Sequence, residues 1–257
     1  MTFKKLFTLV LAVSLLILAP PVSFSQESPE EPLRVLFVGN SFTYFYNLPQ
    51  VVAAMAESQG KEIITRQSTV GGSNLGQHWR KEKGTKTMGL LETENWDYVV
   101  FNNHSTSPID SQEEFDEYGK KFAELVKSKG AQPVFMQTWA YKSNPLMQPA
   151  ITATYGNLAE ETGSLLVPGG MLFQQVRQWR PDMNMFFDDK HPSSNATYLL
   201  GLAFYRFFTN DSLEKIPARI TTIDKDGELL YLLFVPNEDA DFLKQIVVEA
   251  NIKSVVK

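Results

Sequence analysis

Ser41 and His191 carry the side chains of this sequence that are best suited to acyl transfer. A serine hydroxyl is a weak nucleophile until a neighbouring base takes its proton. The chain has only three histidines, and His191 follows Asp188 by three positions in a loop that ends at Pro192. An Asp at this spacing can bind one imidazole nitrogen, fix the tautomer and leave the other nitrogen free for a serine. The pattern predicts a Ser-His-Asp triad.

Ser41 has a simpler interpretation, as a residue that only caps the next helix. It stands in "VLFVGNSFTYFYNLP", where a polar Gly-Asn-Ser ends an apolar run, and Asn40 is interpreted as a turn residue that supports the loop. A helix that follows the loop would direct its N-H groups and its positive dipole end at an anion formed there. The distant "DDKHP" at 188–192 favours the nucleophile, although an incidental surface histidine is the alternative for that segment.

Alternating strands and helices must position these residues. Buried apolar runs predict strands at 33–39, 61–70, 97–102, 131–140 and 164–170. Helical spacing predicts helices at 48–58, 111–129, 153–163 and 237–253, and a further helix after His191 that Ser193 or Ser194 caps. Ser111 and Glu114 fit a capping box, and 219–235 fits a hairpin around Asp226-Gly227. The alternation predicts an α/β fold with a parallel sheet covered on both faces.

Ligands of such sheets bind beyond the carboxyl ends of the strands. This rule selects four loops, at 39–46, 71–75, 102–108 and 139–145. The four segments "GNSFT", "GGS", "VVFNNHSTSP" and "DDKHP" together resemble the sequence blocks of the SGNH (GDSL-type) hydrolase superfamily. The resemblance covers essentially the whole mature chain. It is strongest to a branch of uncharacterised secreted proteins whose first block reads GNSFT and whose second block resembles "VGGSNLGQHW".

The resemblance implies a fold and a set of catalytic roles. The fold is a three-layer α/β/α sandwich around a mostly parallel, roughly five-stranded, flavodoxin-like sheet. Ser41 is the nucleophile, His191 the base and Asp188 its orienting partner, with Asp189 the neighbour that could be mistaken for Asp188. Each oxyanion-hole donor in such a site lowers the activation barrier by about 3 kcal/mol.

The resemblance also implies an oxyanion hole. Its donors are the Ser41 N-H, a glycine N-H of the second block and an Asn amide of the third block. Gly71 is the favoured glycine and Gly72 the alternative. The usual Gly-x-Asn-Asp of the third block is absent, so either Asn102 or Asn103 supplies the amide, and Asn102 is favoured.

Several further side chains are predicted to contact substrate. They are Phe42, Asn103, His104 and Trp139, with Tyr44 as another candidate for the pocket wall. Trp139 follows the fourth strand, where a flat ring can stack on a sugar, whereas a hydrogen-bonded structural role is the alternative for His104. We interpret His78-Trp79 as a packing pair.

The composition limits where the protein works and what it binds. A formal net charge of -5 and no long basic run after the N-terminus argue against nucleic acid as a partner. Two lysines precede a short apolar run and a small-residue cleavage site, so residues 1–25 are predicted to be a secretory signal peptide and 26–257 one domain. No later segment is apolar for long enough to be a membrane span. Without cysteine there is neither a disulfide nor a lipid anchor. A secreted or periplasmic protein is expected.

No group of residues has the spacing of metal ligands, so we predict a mechanism without metal or cofactor. The predicted activity is hydrolysis of small-acyl esters, with O-acetyl esters on a carbohydrate as the leading substrate. The alternatives are an O-acyltransferase that uses the same residues and a secreted glycan-binding protein with little catalysis. The sequence gives no prediction of the oligomeric state.

Overall fold

The computed structural model describes residues 31–252. The predicted signal peptide at 1–25 therefore lies outside the described residues, and the assignment of 26–257 to a single domain stays a prediction. Among residues 31–252, no helix is both long and apolar enough to cross a membrane.

Five parallel strands form the central sheet, in the order β2-β1-β3-β4-β5. They are β1 (Leu33–Gly39), β2 (Ile63–Thr69), β3 (Tyr98–Phe101), β4 (Gln132–Met136) and β5 (Leu165–Val167). Gly39 pairs with Thr69, and Val38 pairs with Phe101. The carboxyl ends of the central strands therefore meet at one edge. The predicted parallel, flavodoxin-like sheet is confirmed.

Ten α-helices connect or flank the strands within the described residues. They are α1 (Ser41–Tyr44), α2 (Leu48–Glu57), α3 (Leu75–Trp79), α4 (Thr87–Thr93), α5 (Ser107–Asp110), α6 (Gln112–Ser128), α7 (Gln148–Thr162), α8 (Gly169–Trp179), α9 (Ser194–Thr209) and α10 (Asn237–Glu249). Short 3-10 turns lie at Phe45–Asn47, Glu82–Gly84 and Pro145–Met147. The sequence did not predict α8, because the strand predicted at 164–170 takes in Gly169 and Gly170, with which this helix begins.

The sheet has an apolar core on each face. Val35 and Phe37 of β1 lie in the core formed with α2, α8, α9 and α10. Leu36 and Val38 lie in the opposite core, with α3, α6 and α7. Successive side chains of a strand point to opposite faces, so the continuous apolar run of β1 supplies both cores. This is the predicted three-layer α/β/α arrangement.

A hairpin lies outside the sheet and matches the prediction. Strands β6 (Arg219–Ile223) and β7 (Leu229–Phe234) pair antiparallel. Gly227 in the turn has a φ of 86°, which glycine adopts without the steric cost of a side chain.

The capping box predicted for α6 is wrong. Ser111 precedes α6, but its side chain caps nothing. The Glu114 carboxylate instead accepts hydrogen bonds from Asn74 and Arg80. The box belongs to α3, where Asn74 and Gln77 each accept from the other's backbone N-H. Glu114 thus joins α6 to the start of α3 instead of closing its own helix.

Candidate active site

Ser41 is the first residue of α1, just beyond the carboxyl end of β1. The N-cap of this helix is Asn40, whose Oδ1 accepts from the Phe42 N-H. The capping role that the sequence left open for Ser41 thus falls to Asn40. The Ser41 hydroxyl makes its hydrogen bond elsewhere, with His191.

The structure brings Ser41, His191 and Asp188 into one chain of hydrogen bonds. Ser41 Oγ lies 2.9 Å from His191 Nε2, and His191 Nδ1 lies 2.7 Å from Asp188 Oδ2. A carboxylate accepts, so Nδ1 carries the proton and Nε2 presents its lone pair to the serine. This is the tautomer that a general base needs in order to deprotonate a serine.

The loop that carries Asp188 is folded tightly around that carboxylate. Asp188 Oδ1 accepts from the backbone N-H groups of Lys190 and His191, each at 2.8 Å. Desolvation acts to raise the pKa of Asp188, but the hydrogen bonds from His191 and Lys190 outweigh it and hold this pKa well below its usual range. Asp188 therefore stays ionised across the pH range in which a histidine can serve as a base.

Two aromatic rings fix the plane of the His191 imidazole. Phe45 stacks on it, with ring centroids 4.2 Å apart and planes inclined by 7°. Phe42 contacts its edge at 6.0 Å. Because these rings cover the imidazole, rotation away from Ser41 would cost packing contacts as well as a hydrogen bond.

Phe42 and Trp139 present no free ring face on which a sugar could stack, contrary to the prediction. Both are buried. Trp139 lies between Phe42 and Phe173, at centroid distances of 4.6 and 4.2 Å. Its indole N-H donates to the Lys190 carbonyl oxygen at 2.8 Å. Trp139 thus supports the loop that holds His191, and neither face of its ring can receive a sugar.

Asp189 is directed away from the imidazole. Its two carboxylate oxygens accept from the N-H and the hydroxyl of Ser143, each at 2.8 Å. Its own carbonyl oxygen accepts from the Lys142 N-H. Asp189 therefore ties the 139–145 loop to the loop of His191.

Backbone donors of the predicted oxyanion hole are free. The N-H groups of Ser41, Gly71 and Gly72 make no hydrogen bond with any residue in the described range. A Cβ added at Gly71 would lie 3.1 Å from Tyr44 Oη, and Gly72 has a φ of 63°. Both glycines are exposed.

Asn102 is not available as the third donor, which corrects the favoured assignment. The residue is buried, and its two amide hydrogens face Asn40 Oδ1 and the Asn103 carbonyl oxygen. Its Oδ1 accepts from the Thr43 hydroxyl at 2.5 Å. Because every polar position of the amide is occupied, Asn102 braces the loop of Ser41 and has no N-H left for a substrate.

Asn103 has the free amide donor instead. Its Oδ1 accepts from the N-H groups of Leu75 and His104, at 3.0 and 2.8 Å, which fixes the orientation of the amide. Within residues 31–252, Asn103 Nδ2 has no hydrogen-bond partner. Unlike the unpaired side-chain atoms that are fully buried, it is partly accessible. Asn103, the alternative considered from the sequence, is thus placed to donate toward solvent or a ligand.

His104 is half-buried next to Asn103. Burial lowers its pKa, and the positive charges of Lys190 and Lys83 lower it further. Its ring approaches the Thr106 hydroxyl only at 3.5 Å, the limit of a hydrogen bond. A neutral imidazole at this edge of the sheet is compatible with the predicted substrate contact.

His78 and Trp79 have separate roles. Trp79 packs edge-on against Phe122, at 5.1 Å. His78 is fully buried, and its Nε2 lies 2.9 Å from the carbonyl oxygen of Gly39, two positions before Ser41. Its Nδ1 lies 2.7 Å from the Thr87 hydroxyl. His78 is thus a hydrogen-bonded link to the loop of Ser41, which its place in a helical pattern did not indicate.

Sequence reasoning missed Phe45 and Phe187, two aromatic residues beside His191. Phe45 contacts Phe187 at 5.7 Å. The signal that could have identified them is the density of aromatic residues in "FTYFYN" and "FFDD", directly next to the predicted triad residues. Among residues 31–252, no three His, Cys, Asp or Glu side chains gather as metal ligands would. The absence of a metal from the mechanism stays a prediction.

Comparison with solved structures identifies the fold. No protein-family model matches the sequence, and no curated protein matches it. Solved structures do. A candidate SGNH hydrolase from Slackia heliotrinireducens is 25% identical, with a TM-score of 0.60 over 68% of this chain and 98% of that one.

Two further solved structures extend this likeness. A DUF4886 family protein from Bacteroides uniformis is 18% identical, with a TM-score of 0.69 over 88% of this chain and 98% of that one. An acetylxylan esterase from Geobacillus stearothermophilus is 16% identical, with a TM-score of 0.55 over 73% of this chain and 97% of that one. The chain therefore has the fold of the SGNH (GDSL-type) hydrolases, and the resemblance to that superfamily is confirmed.

Proposed function

We propose that this chain is a serine esterase that hydrolyses small-acyl esters, with O-acetyl esters on a carbohydrate as its substrate class. The observation that carries the proposal is the continuous hydrogen-bond relay from Ser41 Oγ through His191 to Asp188, with spacings of 2.9 and 2.7 Å. Ser41 and His191 are 150 residues apart in sequence. The two side chains meet at the carboxyl edge of the sheet, where the ligands of such folds bind.

The relay supports a two-step acyl transfer. Ser41 Oγ attacks the ester carbonyl carbon while His191 Nε2 takes the hydroxyl proton. Asp188 stabilises the resulting imidazolium, which then gives its proton to the departing alcohol oxygen. Water attacks the acyl-serine with His191 again as base, and the carboxylic acid and free Ser41 result. No redox step occurs, and protons balance over the cycle.

Three donors are proposed for the tetrahedral oxyanion. They are the backbone N-H of Ser41, the backbone N-H of Gly71 or Gly72, and the Asn103 amide. Each is free of other described partners, and the Asn103 amide is held in orientation by two backbone N-H donors on its Oδ1. Preorganised donors of this kind contribute about 3 kcal/mol each to transition-state stabilisation.

The substrate class rests on less direct support. One structural neighbour, solved in two forms, bears the name acetylxylan esterase in one and acetyl-xylooligosaccharide esterase in the other. The predicted signal peptide would deliver the protein to the compartment where acetylated polysaccharides occur, in the periplasm or outside the cell. Membership of the branch with a GNSFT first block belongs to the same proposal.

The direct test is hydrolysis of p-nitrophenyl acetate by wild type and Ser41→Ala. We expect the variant to lose turnover while its circular dichroism spectrum and unfolding midpoint stay those of wild type. A fluorophosphonate probe should label wild type at Ser41 and leave the variant unlabelled. Turnover that survives in Ser41→Ala would refute the assignment.

Two further measurements separate the alternatives. Acetate release from a panel of acetylated polysaccharides identifies the carrier, and release with and without a free sugar acceptor distinguishes hydrolysis from O-acyl transfer. A glycan-binding protein with little catalysis would bind the polysaccharides but leave Ser41 unlabelled by the probe. The intact relay with its correct tautomer favours the enzyme, because binding alone does not require a base beside Ser41.

A further inference from the structure

We propose that the exposed aromatic residues Tyr44, Tyr46 and Phe187 form a platform beside His191 that binds a pyranose ring of the substrate's carrier. This inference rests on the proposed esterase function and specifies its leaving-group side. The three residues are named the aromatic platform below.

The aromatic platform is continuous with the proposed catalytic centre. Phe45 stacks on His191 at 4.2 Å and contacts both Tyr44, at 5.8 Å, and Phe187, at 5.7 Å. Phe45 therefore lies between the imidazole and the rings of Tyr44 and Phe187, and Tyr46 is the next residue of the same 3-10 turn. A Cβ on Gly71 would lie 3.1 Å from Tyr44 Oη, so the platform reaches from the glycine loop to the loop that holds His191.

The rings of the platform are exposed to solvent. Tyr44 is 37% exposed, Tyr46 39% and Phe187 65%. Large aromatic side chains are otherwise the strongest contributors to a buried core. Phe42 and Trp139 in the same region are buried, whereas the three platform rings are open to solvent.

The backbone adopts a costly conformation in this segment. Tyr46 has φ 47° and ψ 25°, and Asn47 has φ 51° and ψ 50°. Two consecutive non-glycine residues in the left-handed region are rare, and for a bulky residue such as Tyr46 the conformation is strained. The buried Asn47 Oδ1 also has no hydrogen-bond partner within the described residues. Strain that persists next to a catalytic centre commonly serves function.

A pyranose ring is the occupant that the platform fits. An acetyl group is too small to need three aromatic side chains, so the platform must serve the other side of the ester bond. Tyrosine combines an apolar face with a polar hydroxyl, and a pyranose likewise presents a C-H face rimmed by hydroxyls. An extended alkyl chain would make no use of the hydroxyl groups of the two exposed tyrosines.

The test compares single variants Tyr44→Ala, Tyr46→Gly and Phe187→Ala with the control Trp179→Ala. Glycine suits the left-handed backbone at 46. Trp179 is 47% exposed and ends α8, which begins at the carboxyl edge of the sheet and runs away from it. The substrates are acetylated gluco-, manno-, galacto- and xylo-tetraoses, with vinyl acetate as an ester that lacks a ring.

We divide kcat/KM for each tetraose by kcat/KM for vinyl acetate. For at least one tetraose, each platform variant should lower this ratio by about fivefold, which is the effect of an aromatic contact of about 1 kcal/mol. Trp179→Ala should leave this ratio unchanged. The proposal is overturned if no tetraose shows the loss, or if kcat/KM for vinyl acetate falls by as much. It is also overturned if p-nitrophenyl octanoate is the substrate most affected, since that result would assign the surface to an acyl chain.

A binding measurement keeps this inference separate from the esterase proposal. Calorimetry with Ser41→Ala and the unacetylated tetraoses should show binding that the added Tyr46→Gly change weakens about fivefold. If wild type hydrolyses no ester but this binding difference is found, the esterase proposal fails and the platform stands. If esters are hydrolysed and no tetraose binds in a Tyr46-dependent way, only the platform fails.

Discussion

Asn102 Nδ2 donates a hydrogen bond to Asn40 Oδ1 over 3.0 Å. The same Oδ1 accepts from the Phe42 N-H, while Asn40 Nδ2 donates to the carbonyl oxygens of Ser73 and Asn103, each at 3.0 Å. One buried amide thus joins the loops that follow β1, β2 and β3. The residue before the nucleophile therefore needs both an acceptor and a donor, which Asn supplies and Asp does not.

The first prediction concerns Asn40→Asp, a change of almost unaltered shape in the residue before Ser41. A carboxylate oxygen would replace Nδ2 and face two carbonyl oxygens in a buried site. We expect the free energy of unfolding to fall by about 3 kcal/mol, with a parallel loss of esterase activity. Urea unfolding at pH 7 measures the change.

The matched control for this change is Asn157→Asp, at an exposed position in α7. It adds the same negative charge where solvent can hydrate it, so its unfolding free energy should change by less than about 0.5 kcal/mol. Equal effects of the two substitutions would mean that the Asn40 network contributes nothing specific to stability.

The strands and the hydrogen-bonded grouping of Ser41, His191 and Asp188 could be predicted from sequence because each signal lies in a short segment. The apolar run of β1 needs burial on two faces, and the three-residue spacing of Asp188 and His191 fits within one loop. The oxyanion amide is different. Asn102 and Asn103 are neighbours at the end of a strand, where successive side chains point to opposite sides. An error of one residue in the alignment therefore selects the fully hydrogen-bonded Asn102 instead of Asn103, whose amide N-H is unpaired.

Trp139 illustrates a second limit of sequence reasoning. Its position after β4 does place it near the site, but whether a ring lines a pocket or fills the core depends on what packs against it. Phe42 and Phe173 come from distant parts of the chain and enclose it on both faces. Nothing within ten residues of Trp139 indicates that arrangement.

The second prediction concerns Asn103→Asp. The remaining oxygen can still accept from the N-H groups of Leu75 and His104, so the loop keeps its hydrogen bonds, but the amide donor is lost. We expect kcat for p-nitrophenyl acetate to fall by about 10²–10³, with a smaller change in KM. Circular dichroism and the unfolding midpoint report whether the loop is intact. A variant that folds and retains full kcat would remove Asn103 from the oxyanion hole.

The third prediction separates the two adjacent acids of the catalytic loop. In Asp188→Asn, the amide would face His191 Nδ1 and favour the tautomer whose Nε2 carries the proton, which cannot deprotonate Ser41. We expect kcat to fall by about 10⁴. In Asp189→Asn, only the contacts with Ser143 change, and kcat should stay within about tenfold of wild type. Comparable losses would mean that the loop as a whole, and not the Asp188 carboxylate, sets the activity.

The fourth prediction concerns stability in acid and rests on His78. Burial lowers the pKa of His78 to about 4, although its hydrogen bond to Gly39 opposes this effect. The ordinary value is 6.5, so between pH 4 and 6.5 the unfolded chain binds a proton that the native chain does not. Stability therefore rises with pH through this window, and the contribution of His78 is lost as the pH falls from 6.5 toward 4.

A His78→Gln variant tests this linkage, because an amide can still donate to the Gly39 carbonyl oxygen but does not titrate. From pH 6.5 to 4, wild type should lose roughly 3 kcal/mol more unfolding free energy than the variant, as measured by urea unfolding. Other groups that titrate, Asp188 among them, affect both proteins equally and cancel in the difference. Parallel curves for the two proteins would mean that folding does not lower the pKa of His78, and its role as a link to the loop of Ser41 that stays neutral down to about pH 4 would be wrong.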